Sequence, residues 1–136
     1  MTRFRFPIVA ALAAASLLLV AQPALGATAK PSGPRPQGTA CTSNGTGARA
    51  CFKPKGDEMY VKDTDEDGHS AVGVWHHYQG DGSWKKGYCR NKLGAGRWGV
   101  CNYEMSEDSF IKWWAAEYDA ETGAWYEWST EDSDIS

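Results

Sequence analysis

Alternating aspartates form the sharpest chemical motif of this chain. Asp63, Asp65 and Asp67 occupy every second position, and Gly68 follows them. The same order opens the calcium loop of an EF-hand, where alternate carboxylates converge on the ion and the glycine permits a tight turn. The second half of such a loop is missing, because Val74 occupies the twelfth position, which requires a bidentate Glu. The pattern therefore favours a polar hairpin turn without a bound ion. Calcium binding at this turn is the alternative, and we expect no other cofactor.

A pair of glutamates offers a second kind of chemistry. Glu117 and Glu127 flank the segment Glu121-Thr122-Gly123, which is typical of a hairpin turn. If that hairpin closes symmetrically, the two side chains face each other with their Cβ atoms about 5 Å apart. Close carboxyl groups can act as acid and nucleophile in glycoside cleavage, but a one-residue change of register would separate them. The sequence therefore assigns no catalytic residue and keeps a small glycoside hydrolase as an alternative.

The histidines and serines show no catalytic spacing. His76 and His77 are adjacent, so in a strand they point to opposite faces and cannot share a metal. His69 lies in the aspartate turn and could join its carboxylates. The chain contains no G-x-S-x-G elbow, phosphate-binding loop or zinc-protease motif. We therefore expect binding rather than catalysis.

Aromatic rings supply the chemistry for binding. The chain has seven Trp and six Tyr, and four of the tryptophans fall on one predicted hairpin, namely Trp113, Trp114, Trp125 and Trp128. An exposed ring can stack on the apolar face of a sugar, whereas a buried ring fills a small core with a large apolar area. We expect these four residues to bind the ligand if at least two of them are exposed on one side of the sheet. Otherwise they form the core.

Four cysteines predict two disulfides. An even number of cysteines in an exported chain indicates disulfide bonds. We favour the pairs Cys41–Cys51 and Cys89–Cys101, because each pair brackets a glycine-containing turn and could join the two arms of a hairpin. A structural zinc site is disfavoured, because no two cysteines have the short C-x2-C spacing.

The elements that must position these residues are short strands. Glycine-containing turns recur every several residues, and aromatic and β-branched residues fill the intervals. This pattern predicts an all-β fold, a small antiparallel β-sandwich or barrel-like domain of about six or seven strands. The predicted strands cover residues 48–54, 58–63, 69–79, 83–91, 97–105, 110–119 and 124–129.

The two ends of the chain differ from its middle. Residues 1–26 are typical of a secretory signal peptide, with Arg3 and Arg5 before an apolar run and small residues at the cleavage point. Residues 27–40 are rich in Pro and Gly and predict a flexible leader. The β-rich domain is predicted over residues 41–129, and residues 130–136 predict a solvated acidic tail. The protein is therefore expected to be secreted.

The net charge limits the partners. The formal charge is −3, and removal of Arg3 and Arg5 with the signal peptide would make it about −5. An acidic domain is a poor candidate for binding nucleic acid or an anionic membrane surface. We expect an extracellular polysaccharide or protein as partner. The favoured function is a non-catalytic module that binds glycan or cell wall. The alternative without catalysis is an inhibitor-like secreted factor that binds protein.

One stretch of the chain resembles a known group of proteins. Residues 61–71 have the pattern V-x-D-T-x-x-D-G-x-S-A, a strand ending in Trp75 follows, and a later block reads Cys101-Asn102-Tyr103-Glu104-Met105. In these features the chain resembles small secreted β-rich proteins of actinobacteria such as streptomycetes. The resemblance implies export and a β fold, and it transfers no catalytic residue.

Overall fold

Every regular element of the protein is a β-strand. A computed structural model describes residues 25–136. The eleven strands within these residues are β1 Leu25–Thr28, β2 Lys30–Pro31, β3 Ala40–Ser43, β4 Ala48–Lys53, β5 Glu58–Asp63, β6 Ser70–Tyr78, β7 Trp84–Asn91, β8 Trp98–Asn102, β9 Phe110–Tyr118, β10 Trp125–Tyr126 and β11 Asp132–Ile135. Across this part of the chain, no helix has the length and hydrophobicity needed to cross a membrane.

The strands form two sheets that pack face to face. The first sheet has the order β1-β7-β6-β9, and β10 and β11 both pair with β9, at its two ends. The second sheet has the order β2-β8-β5-β4-β3. Neighbouring strands are antiparallel except for β1 and β7, which are parallel. The sheets are not closed, so the predicted all-β fold is confirmed in its sandwich form.

The seven predicted strands correspond to β4 through β10, but four further strands were not predicted, namely β1, β2, β3 and β11. The sequence predicts a flexible leader over residues 27–40, whereas β1 and β2 lie on the edges of β7 and β8. Ala29 between them is buried, and its N–H donates to Arg90 O. Strand edges carry free backbone groups that any extended segment can pair with, and side-chain composition does not reveal such pairing. The predicted signal peptide lies almost wholly outside the described residues, and β1 begins at Leu25.

The acidic tail is also folded onto the domain. β11 pairs with β9, where the sequence predicts a solvated tail over residues 130–136. Ser136 is buried, and its hydroxyl lies 3.0 Å from Nε2 of His77, whose imidazole is buried beneath the first sheet. A buried polar ring requires hydrogen-bond partners, and Ser136 supplies one of them. The charged residues of the tail remain at the surface, so composition alone gave no sign of this docking.

Side chains that alternate inward along the two sheets fill the core. Trp75 on β6 and Trp113 on β9 face Phe52 and Met59 of the second sheet, and all four are almost completely buried. Gly73 allows this close packing, since a Cβ at that position would lie 3.0 Å from side-chain atoms of Met59. The two sheets therefore pack through large aromatic rings from both sides, and they approach closely at Gly73, which has no side chain.

Both predicted disulfides are present. Cys41–Cys51 joins directly opposed residues of the β3–β4 hairpin, with their Cα atoms 4.0 Å apart. Cys89 lies on β7 in the first sheet, whereas Cys101 lies on β8 in the second sheet. The second bond therefore links the two sheets through the core, instead of joining the arms of one hairpin as the sequence suggested.

Candidate functional site

Aromatic side chains cover the outward surface of the first sheet. Alternation along β6, β7 and β9 sends one set of residues into the core and the other set outward. We name the outward surface the ring face, and define it by the rings of Tyr78, Trp84, Tyr88, Phe110, Trp114, Tyr118, Trp125 and Trp128. Between Trp84 and Arg90 it extends for about 20 Å along β7.

The rings of this surface are fixed against one another. At one end, Trp84 lies 5.3 Å from Tyr78 and 6.0 Å from Phe110, measured between ring centroids. In the middle, Trp114 packs edge-on to His76 at 4.9 Å. Such contacts between rings add stabilisation beyond the area they bury, so the rings are held in place before any ligand arrives.

The other end of the ring face contains a cavity. Trp125 lies 4.9 Å from Tyr118 and 5.7 Å from Tyr88, and it stacks on Trp128 at 5.9 Å with an angle of 24° between the planes. Tyr88, Arg90, Tyr118, Gly123 and Trp125 line a cavity of about 270 Å³. This end of the ring face therefore has flat aromatic surfaces beside a cavity that can hold a small polar group.

Three of the four predicted tryptophans lie on this surface, and one does not. Trp125 is 38% exposed and Trp128 is 50% exposed, and Trp114 is half-buried on the same side. Trp113 was predicted to bind ligand, but this is wrong because the residue is completely buried. Its indole N–H donates to Ala50 O at 3.2 Å, and its ring packs on Phe52. Neighbours in a strand point to opposite faces, so Trp113 and Trp114 cannot share a surface.

Other rings of this surface were not predicted from the sequence. Trp84 stands opposite Tyr78 in the β6–β7 pairing, and Tyr118 stands opposite Trp125 in the β9–β10 pairing. Both pairs bring together residues from different strands, so the missing information was the register. A count of outward positions along β6, β7 and β9 could have found them once the pairing was known.

Cationic side chains lie among the rings. The Arg90 guanidinium lies 4.6 Å from the centre of the Tyr118 ring, and its Nε–H donates to Ser70 Oγ at 3.1 Å. Lys112 Nζ lies 4.9 Å from the Trp84 ring and 5.5 Å from the Trp114 ring. Cations over ring faces are attracted by the ring electrons, so these contacts place positive charge directly on the ring face.

A cluster of titratable groups lies at one end of the sandwich, apart from the ring face. Asp67, His69 and Glu117 each present one ligand atom, and these atoms lie within 4.8 Å of one another. Glu117 is buried, and its Oε2 accepts hydrogen bonds from Asn44 Nδ2 and Thr46 Oγ1. Among the described residues, these three form the group whose ligand atoms are close enough together to hold a metal ion.

The predicted carboxylate pair is replaced by a different one. The sequence paired Glu117 with Glu127, but the structure sets Glu117 opposite Tyr126. Glu127 is exposed and has a φ of 56°, outside the strand. The register of the β9–β10 hairpin differs by one residue from the symmetric arrangement, which separates the two glutamates. Asp67, which lies 50 positions before Glu117 in the chain, becomes its carboxyl neighbour instead.

The three aspartates of the calcium-like motif have different surroundings. Asp63 is buried, and its Oδ1 accepts the N–H of Asp65, which makes an Asx turn. Asp67 Oδ1 accepts the N–H of His69, and its other oxygen lies 3.6 Å from His69 Nδ1. Of the three aspartates, Asp67 alone belongs to the cluster with metal-ligand spacing. Calcium binding at Asp63, Asp65 and Asp67 stays a prediction.

The paired carboxyl groups shift each other's pKa in opposite directions. Burial, the hydrogen bond to Asp67 and the charge of Asp67 raise the pKa of Glu117 to about 7, against the opposing effect of Thr46 and Asn44. Desolvation acts to raise the pKa of Asp67, but hydrogen bonds from Glu117 and the His69 N–H outweigh it and lower that pKa. The pair therefore holds one proton, on Glu117, under mildly acidic conditions.

Replacing Glu117 by Gln should alter stability in a pH-dependent way. A raised pKa means that the contribution of Glu117 is present at low pH and is lost as the pH rises through about 7. Gln mimics the protonated acid and does not titrate, so Glu117→Gln should match the wild type at pH 5. At pH 8 it should be more stable by ~1–2 kcal/mol, a value discounted for the solvent near the cluster.

Thermal or urea unfolding at several pH values measures this difference. The control is Glu127→Gln, which removes an exposed carboxylate of the same type. His76 and His77 also titrate abnormally, since burial lowers the pKa of each, but they contribute equally to both proteins. A difference between Glu117→Gln and the wild type that stays constant from pH 5 to pH 8 would show that Glu117 does not share a proton with Asp67.

Comparisons with known proteins add no further assignment. No family model, curated protein or solved structure matches this chain.

Proposed function

We propose that this protein is an exported, non-catalytic module that binds polysaccharide through the ring face. One observation carries the proposal: Trp125 and Trp128 stack on each other and remain exposed, and Trp125 also lines a cavity together with Tyr88 and Tyr118. The flat faces of these rings suit the apolar faces of sugar rings, and the tyrosine hydroxyl groups suit sugar hydroxyl groups.

The energetics of exposure support a binding role. Exposed large rings in a small domain lose the apolar burial that a core position would supply, and contiguous patches of them mark interaction surfaces. Trp84, Phe110, Trp125 and Trp128 are among the most exposed large apolar side chains of the described residues, and all four belong to the ring face. The rings are also held by neighbouring rings, so binding would cost little side-chain entropy.

The cysteines and the N-terminal sequence support an extracellular location. All four cysteines form disulfides, which persist in oxidising surroundings such as the cell exterior. The apolar run after Arg3 and Arg5 is typical of a secretory signal. These two features agree with an extracellular polysaccharide as ligand, and with the export that the actinobacterial resemblance implies.

Removal of the exposed tryptophans should weaken binding strongly without unfolding the protein. The double variant Trp125→Ala with Trp128→Ala should bind chitin, cellulose or peptidoglycan about tenfold more weakly or worse, because each stacked ring contributes ~0.5–1.5 kcal/mol beyond its area. Retention on these insoluble polysaccharides and the change in tryptophan fluorescence measure the effect.

A matched control lies on the opposite sheet. Trp98 is half-buried on the outer surface of the second sheet, beneath Lys62, so Trp98→Ala removes a comparable ring outside the ring face. This variant should bind as the wild type does. The proposal is wrong if the wild type is retained on none of the polysaccharides, or if Trp98→Ala weakens binding as much as the double variant does.

A further inference from the structure

We propose that the ring face selects an anionic polysaccharide, whose sugar rings carry carboxylate groups. This inference rests on the proposed function and names the class of polysaccharide. It follows from the separation of charge on the molecule, the positions of individual cations among the rings, and their spacing along the strands.

The ring face is cationic although the protein is acidic. The chain has 17 Asp and Glu against 14 Lys and Arg. Among the strand residues that the structure describes, the outward positions of the first sheet contain Lys86, Arg90 and Lys112 but no Asp or Glu. An acidic protein whose strands place only cations at the outward positions of one aromatic sheet has a surface complementary to a negative ligand and repels such ligands elsewhere.

Lys112 shows that a carboxylate can approach the ring face. Its ammonium group lies between the rings of Trp84 and Trp114. Glu131, which precedes β11, reaches over from the loop and places its Oε2 3.6 Å from Lys112 Nζ. Glu131 is largely exposed, so this contact is a weak surface ion pair that a ligand carboxylate can replace.

Arg90 is oriented to receive a carboxylate at the cavity. Its Nε–H donates to Ser70 Oγ and its guanidinium lies over the Tyr118 ring, and these two contacts hold the group at the cavity that Trp125 also lines. Within residues 26–136, Arg90 takes part in no ion pair. A fixed guanidinium offers parallel donors that match the two oxygens of a carboxylate, which a neutral sugar cannot satisfy as well.

The spacing of the cations favours a polymer over a single anion. Lys86 and Arg90 are four residues apart on β7, or about 13 Å, and Lys86 and Lys112 stand on either side of His76. Burial is the main cause of the lowered pKa of His76, and the charges of these two lysines lower it further against the opposing charge of Glu131, so both cations act on the middle of the ring face. One small anion can reach one of these cations, whereas a chain with a charge on each sugar reaches all of them.

The test compares one polysaccharide with and without its charge. Polygalacturonate and its methyl ester share the same sugar chain, so a difference in affinity measures the carboxylate. We expect tighter binding to polygalacturonate, weakening as NaCl rises, with no salt dependence for the methyl ester. Calorimetry or affinity electrophoresis of the wild-type protein supplies both measurements. Polyglutamate, which has carboxylates but no sugar rings, should bind far more weakly than polygalacturonate.

Charge variants locate the effect. The double variant Lys86→Gln with Lys112→Gln should weaken binding to polygalacturonate by about two- to fivefold for each cation and weaken binding to the methyl ester clearly less. The control is Lys62→Gln, which removes a lysine that also lies over a tryptophan, but on the second sheet.

The possible failures are distinguishable. Equal binding of polygalacturonate and its ester, or binding of neutral polysaccharides alone through Trp125 and Trp128, overturns this inference and leaves the proposed function intact. Polyglutamate binding as tight as polygalacturonate binding also overturns it, because the ligand would then be any polyanion. If the protein binds none of the polysaccharides and its tryptophan fluorescence is unchanged, both proposals are overturned.

Discussion

Trp113→Ala is expected to lower the free energy of unfolding by about 3–5 kcal/mol, a large part of the stability of a small domain. Trp113 is completely buried, packs on Phe52 and donates its indole N–H to Ala50 O. Its removal leaves a cavity between the sheets that the surrounding strands can fill only in part, because Gly73 already brings the sheets into close contact. Urea unfolding followed by circular dichroism measures the loss.

The neighbouring tryptophan supplies the matched control. Trp114 is half-buried on the ring face, so Trp114→Ala should cost clearly less stability than Trp113→Ala. The same pair should show the reverse order in polysaccharide binding, provided that the Trp113 variant is assayed under conditions where it remains folded. Comparable losses of stability for the two variants would contradict the assignment of one ring to the core and the other to the surface.

Removal of the disulfide between the sheets is expected to be the second large effect. Replacement of both Cys89 and Cys101 by Ala should lower the free energy of unfolding by about 3 kcal/mol or more, from the lost constraint on the unfolded chain. Both cysteines are buried in the core, so the substitution also removes packed sulfur atoms from the space between the sheets. Urea unfolding of the non-reduced proteins measures the loss.

The other disulfide separates the chain-entropy effect from the packing effect. The cysteines of Cys41–Cys51 are 10 positions apart and those of Cys89–Cys101 are 12 apart, so loop closure alone predicts nearly equal losses. Cys41 is only half-buried, and its bond joins strands that already pair through their backbones. We therefore expect the Cys41 and Cys51 double variant to lose less stability. Equal losses would mean that the link between the sheets adds nothing beyond loop closure.

The local pattern of the chain was enough to predict most of the strands and both disulfides. β4 through β10 fall within the predicted strands, because β-branched and aromatic residues favour extended backbone and glycines end each run. Each disulfide joins cysteines only 10 or 12 positions apart in the chain, so the pairing needed little knowledge of the fold. The edge strands β1, β2, β3 and β11 escaped prediction, because backbone pairing holds them in place and their side chains carry no periodic signal.

The candidate sites depended on information that is not local. Glu117 has Asp67 as its carboxyl neighbour instead of Glu127, because the β9–β10 register differs by one residue from the symmetric arrangement. Trp113 and Trp114 are adjacent in the chain, yet the sheet places one in the core and the other on the ring face.

By itself, the sequence determined that this chain is an all-β domain with two disulfides and an excess of aromatic rings, since propensity and turns act over a few residues. Only the tertiary structure decided which rings face outward, which sheets Cys89 and Cys101 connect, and which carboxyl groups meet. The physical reason is that strand pairing joins distant segments in a definite register. A shift of one residue in that register would move every side chain of a strand to the opposite face.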